Sequence, residues 1–375
     1  LRPHVDRRQA QVLALVRARG SVRVAELARE LGVSPVTLRR DIEAMAARGE
    51  IRRMHGVITR VERGRDAAGR DAPPGAGAGA ADGRVPGGAL RDGGGLLVGM
   101  VVPTTDYYYG DVVRGARAAV EARGARLRVG LTRYLPDEDR TQADRLLSTG
   151  AHGLLLTPNW EAGSPGPGEG DWTAGLPVAT VLVERWAPPG HPAAELDRVA
   201  CDHAHGAARA VQHLAGLGHR RIALASRTTP TTERLRAGYG AAVAALGLEP
   251  APAWPPTGHG PLSDADLFAR TLDYLCDAVT AGGVTAALIH SDTDAIMLIP
   301  RLQARGVRVP EDLAVITYDD EVAGMADVPL SAVAPAKREV GARAADLLLD
   351  RLSGGSALDG PRQHLELLPR LTIRQ

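Results

Sequence analysis

Apolar and polar residues follow two different rhythms along this chain. In the first 60 residues the spacing is helical. Between Gln9 and Arg19, Val12, Leu13, Leu15 and Val16 supply one buried face, which predicts an amphipathic helix. Val24 to Leu31 predicts a second helix, and Gly32-Val33-Ser34 the turn into a third. In that third helix Leu38, Ile42 and Met45 fall at i, i+4 and i+7, an inward stripe. Ser34 can cap it, Pro35 suits its first position, and Gly49 ends it. Ile51 to Thr59 then predicts a short β-hairpin. Three helices and a hairpin in this order predict a winged helix-turn-helix over residues 1–61.

From residue 62 to residue 95 the pattern stops. These 34 residues are rich in Gly, Ala, Pro and Asp and have almost no large apolar side chain, so they cannot offset the entropy of ordering. They predict a flexible linker, with an r.m.s. span of roughly 30 Å for a random coil.

From Leu96 onward continuous apolar runs alternate with helical spacing. LLVGMVVP, Leu127 to Val129, GLLLTP and PVATVLVE predict strands, as do Arg198 to Cys201, RIALAS, AALIHSD and LAVITYDD. Val112 to Arg123, Asp139 to Ser148, Ala204 to Leu217, Glu233 to Leu246, Asp264 to Thr280 and Ala295 to Arg305 predict helices. Alternation of this kind means βαβ units and parallel sheets. Two such runs within residues 96–375 predict an α/β body of two doubly wound subdomains with a cleft between them. Subdomain 1 is expected at about 96–184 and 293–320, and subdomain 2 at about 185–292 and 321–375. Ligands of such sheets bind beyond the carboxyl ends of the strands.

Charge separates head from body. Residues 1–60 carry 13 arginines and six acids, a net +7, which leaves −6 for the remaining 315 residues. A basic head on a mildly acidic body suits a polyanionic partner for the head. Lys337 is the one lysine among 45 basic residues, so arginine abundance reflects the chain as a whole and carries less weight. Two cysteines cannot build a disulfide framework, and no run reaches 18 apolar residues, which predicts a cytoplasmic protein outside the membrane. The chain opens on Leu1, which fits an upstream or non-standard start.

The head resembles the DNA-binding domain of the DeoR family through Val33, Ser34, Thr37, Arg39, Arg40, Asp41, Gly49, Arg53 and the His55-Gly56 pair. Val57 stands where that family usually has a second glycine. The body resembles a different family, the effector-binding core of LacI-type regulators, which is similar to periplasmic sugar-binding proteins. That likeness rests on VGMVVP with YYYGDVVRGARAA, on HLAGLGHRRIAL, on RGVRVPEDLAVITYDDE and on LLPRLTIRQ. Together the resemblances imply a homodimeric transcriptional regulator, a repressor, that binds operator DNA and answers to a sugar-like small molecule.

Ser34, Thr37, Arg39 and Arg40 are the expected contacts in the major groove, where arginine suits guanine O6 and N7. Arg52, Arg53 and His55 on the hairpin are expected at the backbone or minor groove. The competing reading pairs these cations with Asp41, Glu43 or Glu50.

In the body Tyr107, Tyr108 and Tyr109 follow the first strand, and Tyr108 and Tyr109 are expected to line the cleft. Trp160 is expected as a second stacking surface after the third strand. By the resemblance Arg236 is the effector-contacting arginine, one position out of register, with Arg234 as its competitor. The resemblance likewise implies Asp292 as acceptor for effector hydroxyls, against a helix-capping role. Asp319, Asp320 and Asp202 stand at similar turns, as effector, hinge or capping residues. Cys201, His203 and His205, with His213 and His219, offer an alternative: a metal- or redox-responsive regulator. No GxSxG, HExxH, P-loop or strand-linked GxGxxG occurs, so no enzyme and no cofactor is expected.

Overall fold

In a computed structural model the described residues are 11–16, 21–23, 45, 51–54, 57–60, 95–160, 162–254, 264–354 and 360–374. The chain divides into two compact units, Leu1–Ala89 and Leu90–Gln375.

In the first unit residues 11–16 are helical, with Val12 and Val16 buried, and Met45 is buried as its stripe predicts. Strands β2 (Ile51–Met54) and β3 (Val57–Arg60) form the expected antiparallel hairpin, with Arg52 opposite Thr59 and Arg53 opposite Ile58. A third strand, β1 (Ser21–Arg23), pairs antiparallel with β3 and completes a sheet in the order β1-β3-β2. Three residues are too short to show a period, so β1 has no signature in the sequence. Ser34, Thr37, Arg39, Arg40 and His55 lie outside the described residues, as does the segment 62–94.

The second unit holds two lobes. Lobe 1 is an all-parallel sheet in the order β13-β8-β7-β6-β4-β5. Its strands are β4 (Leu97–Val102), β5 (Arg126–Leu131), β6 (Gly153–Leu156), β7 (Ala179–Val183), β8 (Asp197–Cys201) and β13 (His364–Leu367). The central strands are buried on both faces, which is why they read as unbroken apolar runs. Val98, Met100 and Val102 face helices α1 (Tyr108–Ala122) and α7 (Lys337–Ser353), while Val101 faces the side covered by α2 (Pro136–Ser148). Helices α1 and α7 touch backbone to backbone: a Cβ on Gly341 would stand 1.9 Å from the carbonyl oxygen of Val112, so only glycine fits there.

Lobe 2 is a sheet in the order β14-β12-β11-β10-β9, parallel except for β14. Its strands are β9 (Ile222–Ser226), β10 (Ala286–His290), β11 (Ala314–Tyr318), β12 (Ser331–Ala334) and β14 (Arg370–Thr372). Helices α3 (His203–Gly216) and α4 (Thr232–Ala245) cover one face, and α5 (Asp264–Thr280) and α6 (Asp292–Ala304) the other.

The expected partition of the lobes needs correction. Residues 293–320 belong to lobe 2, because α6 is the crossover between neighbouring parallel strands β10 and β11. Residues 185–201 and the segment from α7 to β13 belong to lobe 1, where β8 pairs with both β7 and β13. Arg351 on α7 clamps Asp197 at the start of β8 with two 2.9 Å hydrogen bonds, both side chains buried. The chain therefore passes between the lobes three times, around residues 202, 335 and 368.

Candidate ligand cleft

The carboxyl ends of the parallel strands in the two lobes face each other, as the fold requires of a ligand cleft. Lobe 1 contributes Tyr107 to Tyr109 after β4, Thr157 to Asn159 after β6, and Glu184 to Trp186 after β7. Lobe 2 contributes His290 to Asp292 after β10 and Tyr318 to Asp320 at β11. The lobes are in contact: a Cβ on Gly163 of lobe 1 would lie 2.2 Å from the carbonyl oxygen of Pro230 in lobe 2.

Asp292 is the hub on the lobe 2 side. It is fully buried, and its Oδ2 accepts hydrogen bonds from the amides of Glu321 and Val322 at 2.6 Å and Ala323 at 3.1 Å. Its other oxygen accepts from the hydroxyl of Tyr107, which also lies 3.2 Å from Oδ2 of Asp319. Burial and the Asp319 and Asp292 carboxylates push the Tyr107 pKa upward, so this phenol acts only as a donor. Ser291, rather than Asp292, is the cap residue of α6. Asp319 also stands 3.6 Å from Nε2 of His290, whose pKa burial pulls down.

A second network runs between the lobes at the first crossing. Glu184, buried at the end of β7, accepts from the Tyr108 hydroxyl at 2.8 Å and from the Cys201 amide at 3.3 Å. His203 places Nε2 3.2 Å from Glu184 and Nδ1 3.1 Å from the hydroxyl of Tyr318. Lys337, the lone lysine, donates from the start of α7 to the Asp319 carbonyl and the Glu321 carboxylate, 5.4 Å from the Tyr108 ring centre. Arg234 of lobe 2 stacks 4.6 Å over the ring of Trp186 in lobe 1.

Arg185 crosses the floor of lobe 1. It is 1% exposed and donates to the carbonyls of Pro158 and Glu184 and to the Tyr109 hydroxyl. Its Nη2 is buried without a protein partner, and so are Oγ1 of Thr157 and Oδ1 of Asn159 beside it. Close by, Asp139 binds the amide and side chain of Asn159 at 2.7 Å, and burial raises its pKa to about 7.

The expected site residues therefore separate. Tyr108 and Asp292 are in the cleft. Tyr109 is at its floor, with the ring in the lobe 1 core and the hydroxyl committed to Arg185. Trp160 is not a cleft surface: it is 2% exposed and packed with Leu154, Leu182 and Ala193, because an indole after β6 buries more area in the core than at the rim. Arg236 is exposed on α4, and one helical step away Leu235 takes the buried position while Arg234 reaches Trp186. Asp320 points away from the cleft toward Thr372 at 3.1 Å and Arg374 at 2.7 Å.

The cysteine and histidine cluster does not converge. Cys201 Sγ donates to the Leu367 carbonyl and accepts from the Ala336 amide, burial pushes its thiol pKa up, and His203 is committed to Glu184 and Tyr318. Asp202 caps α3 through the His205 amide at 2.8 Å. Among the described residues no group of three or more His, Cys, Asp or Glu could hold a metal ion. Sequence reasoning missed Glu184, Arg185 and Lys337 as cleft residues, and it named Tyr107 only as part of the tyrosine turn. Glu184 closes the run PVATVLVE, so a strand-end rule alone would have found it.

Two family models match the chain: a DeoR-like helix-turn-helix domain over residues 8–63, and a periplasmic binding protein-like domain over residues 211–375. The chain is 26% identical over 282 residues to the HTH-type transcriptional repressor CytR of Escherichia coli K12, covering 73% of this chain and 78% of that one. It is 30% identical over 199 residues to the repressor PurR of Vibrio campbellii, covering 52% of this chain and 55% of that one. Among solved structures, a complex of the transcriptional regulator CelR with cellobiose superimposes with a TM-score of 0.60 at 27% identity, covering 75% of this chain and 85% of that one. A LacI family regulator from Mycobacterium smegmatis gives 0.58 at 25% identity, covering 74% and 98%. No helix among the described residues is long and apolar enough to cross a membrane.

Proposed function

We infer that this chain, a LacI-type transcriptional regulator with a DeoR-like helix-turn-helix head, is a DNA-binding repressor controlled by a small polar effector held between its two lobes. Its relatives are transcriptional regulators, and we read it as a regulator with no catalytic step, working in the cytoplasm as a homodimer. Residues 1–61 form the DNA-binding domain, 62–95 the linker and 96–375 the sensor. Ser34, Thr37, Arg39 and Arg40 read the major groove, while Arg52, Arg53 and His55 hold the backbone or minor groove.

The observation that carries the sensor reading is the facing of Asp292 and Asp319 in lobe 2 against Tyr107, Tyr108 and Glu184 in lobe 1. Carboxylates accept from hydroxyls, and Arg185 Nη2 offers a buried donor to an acceptor on the ligand. Such a cleft favours a donor-rich ligand, a sugar or a nucleoside. The cellobiose bound by CelR supports the carbohydrate class. A ligand that prefers one lobe angle shifts the population of sensor states and with it the presentation of the heads.

The test is selection of operator sequences from genomic DNA with the full chain, followed by titration of sugars and nucleosides against the selected duplex. A shared motif in two half-sites, released or tightened by one compound, supports the reading. Failure to enrich any sequence overturns it.

A further inference from the structure

Asp292 has two unequal oxygens. Oδ2 is saturated by three amides of lobe 2, and Oδ1 is left to a group from the opposite lobe. That group is Tyr107, whose hydroxyl also reaches Asp319. The tyrosine is poorly suited to a merely structural tie. It is 37% exposed, and its backbone sits at φ 51°, a region that disfavours a bulky side chain, directly before the first turn of α1. A side chain held in a costly conformation to present one hydroxyl to two carboxylates indicates that the hydroxyl has a task.

Those two carboxylates are also the acceptors that the proposed effector needs, so the following rests on the effector reading above. We propose that Tyr107 is the specificity gate of the cleft: its phenol stands in for an effector hydroxyl on Asp292 and Asp319, and a ligand must displace it. The stand-in offers one donor to two acceptors. A ligand with two adjacent hydroxyls gives each carboxylate its own donor and wins the exchange. A ligand with a single hydroxyl merely matches the tyrosine and does not. The effector class is therefore a vicinal diol, and the ligand-free sensor holds its own cleft shut. Lys337, His290 and Glu321 border the same carboxylates, but Lys337 and Glu321 are paired with each other, and His290 is held by Ser226 at 3.2 Å. Tyr107 is the one side chain from lobe 1 that donates to both Asp292 and Asp319 among the described contacts.

Hydrogen–deuterium exchange of the full chain, without DNA or ligand, tests the closure. Tyr107→Phe keeps the ring and removes the donor, so amides of 104–110 in lobe 1 and 319–323 in lobe 2 should both exchange at least fivefold faster. Tyr239→Phe, which loses a hydroxyl bonded to the Ile222 carbonyl inside lobe 2, controls for general loosening and should leave both segments unchanged. Thermal shifts with D-ribose, D-glucose, cellobiose, adenosine and 2′-deoxyadenosine, which lacks a vicinal diol, test the gate. Diol probes should stabilise Tyr107→Phe more than the parent, and the gap between adenosine and 2′-deoxyadenosine should narrow. Unchanged exchange in either segment, or identical shifts in the two proteins across the panel, overturns the proposal. Neither readout involves operator DNA, so either result stands apart from the operator selection.

Discussion

Glu184 and His203 face each other at 3.2 Å where the chain first passes from lobe 1 to lobe 2. Both are buried, and Glu184 takes in addition the Tyr108 hydroxyl and the Cys201 amide. Glu184→Ala would leave three buried donors without an acceptor, and each such orphan costs about 1–3 kcal/mol. Urea unfolding should show a loss of about 3 kcal/mol for Glu184→Ala and less than half of that for Glu184→Gln, which keeps one acceptor oxygen. A double-mutant cycle with His203→Ala should show coupling above about 0.5 kcal/mol. Additive losses would mean that the pair is adjacent without interacting.

Asp292 ties the loop of Glu321, Val322 and Ala323 to the start of α6. Asp292→Ala should therefore cost about 2–4 kcal/mol in denaturant unfolding of the sensor, as a buried hydrogen-bonded charge is removed and three amides are orphaned. It should also abolish any ligand-induced thermal shift. Asn at this position accepts through one oxygen, so Asp292→Asn should fall between the parent and the alanine variant. Retention of the full ligand response by Asp292→Ala would remove this residue from the effector site.

The helix pair of lobe 1 gives a sharper stability test. A Cβ at Gly341 would meet the Val112 carbonyl at 1.9 Å, so Gly341→Ala must push α7 off α1. Overpacking of this kind costs about 1–3 kcal/mol or more. Gly240, in the middle of α4, has nothing within 4 Å of its would-be Cβ. Gly240→Ala should instead stabilise by up to about 1 kcal/mol, since alanine is the better helix former. The two substitutions should move the melting temperature in opposite directions.

Much of this architecture was legible in the chain, for reasons visible in particular residues. The strands from Leu97 to Val102 and from Ala286 to His290 read clearly because a strand covered on both faces is apolar throughout. Membership of a lobe did not read, because Val199 and Cys201 look alike whichever sheet they join. Helix α7 went unread as well: its buried residues mix Val340, Leu347, Leu348 and Leu349 with Gly341, Ala344, Ala345 and the charged Lys337 and Arg351, which breaks up the apolar stripe. At the site, strand-end logic pointed to Tyr108 and the family resemblance to Asp292, and both lie at the cleft. Strand-end logic misjudged Trp160, because a residue just past a strand end can turn back into the core. Between Arg236 and its competitor Arg234 the sequence did not choose, because a helix rotates about 100° per residue; Arg234 is the one that reaches Trp186.

Asp139 makes stability depend on pH in a stated direction. Burial lifts its folded-state pKa to about 7, against an unfolded value near 3.8. Between these two values the unfolded chain has released the proton that the folded chain still holds. Stability contributed by this group is therefore complete below about pH 4 and falls as the pH rises toward about 7. His290 acts with the opposite sign: burial depresses its pKa below 6.5, so its contribution is present above that value and declines as the pH falls. Comparison of each variant with the parent separates the two. Asp139→Asn should flatten the parent's loss of stability between about pH 4 and 7, measured by urea unfolding at each pH. An Asp139→Asn curve parallel to the parent would show that the folded-state pKa is not raised.

The output expected of the sensor rests on the head, where Arg39 and Arg40, on the third helix expected from the sequence, fall within the residues matched by the DeoR-like family model. Each arginine that meets a guanine edge contributes about 1–3 kcal/mol of discrimination, and each that meets a phosphate steepens the salt dependence. The double variant Arg39→Ala/Arg40→Ala should weaken binding to the selected operator by at least 100-fold in a gel-shift assay. Its slope of log affinity against log salt should also be shallower by about one to two units. The thermal shift of the sensor with ligand should not change, because Asp292, Asp319 and Tyr107 all belong to the other compact unit. Arg52→Ala and Arg53→Ala, on the hairpin strand β2, should weaken binding uniformly across sequences rather than relax the preference for one base. Operator affinity in the double variant equal to that of the parent would move recognition away from this helix and onto the hairpin.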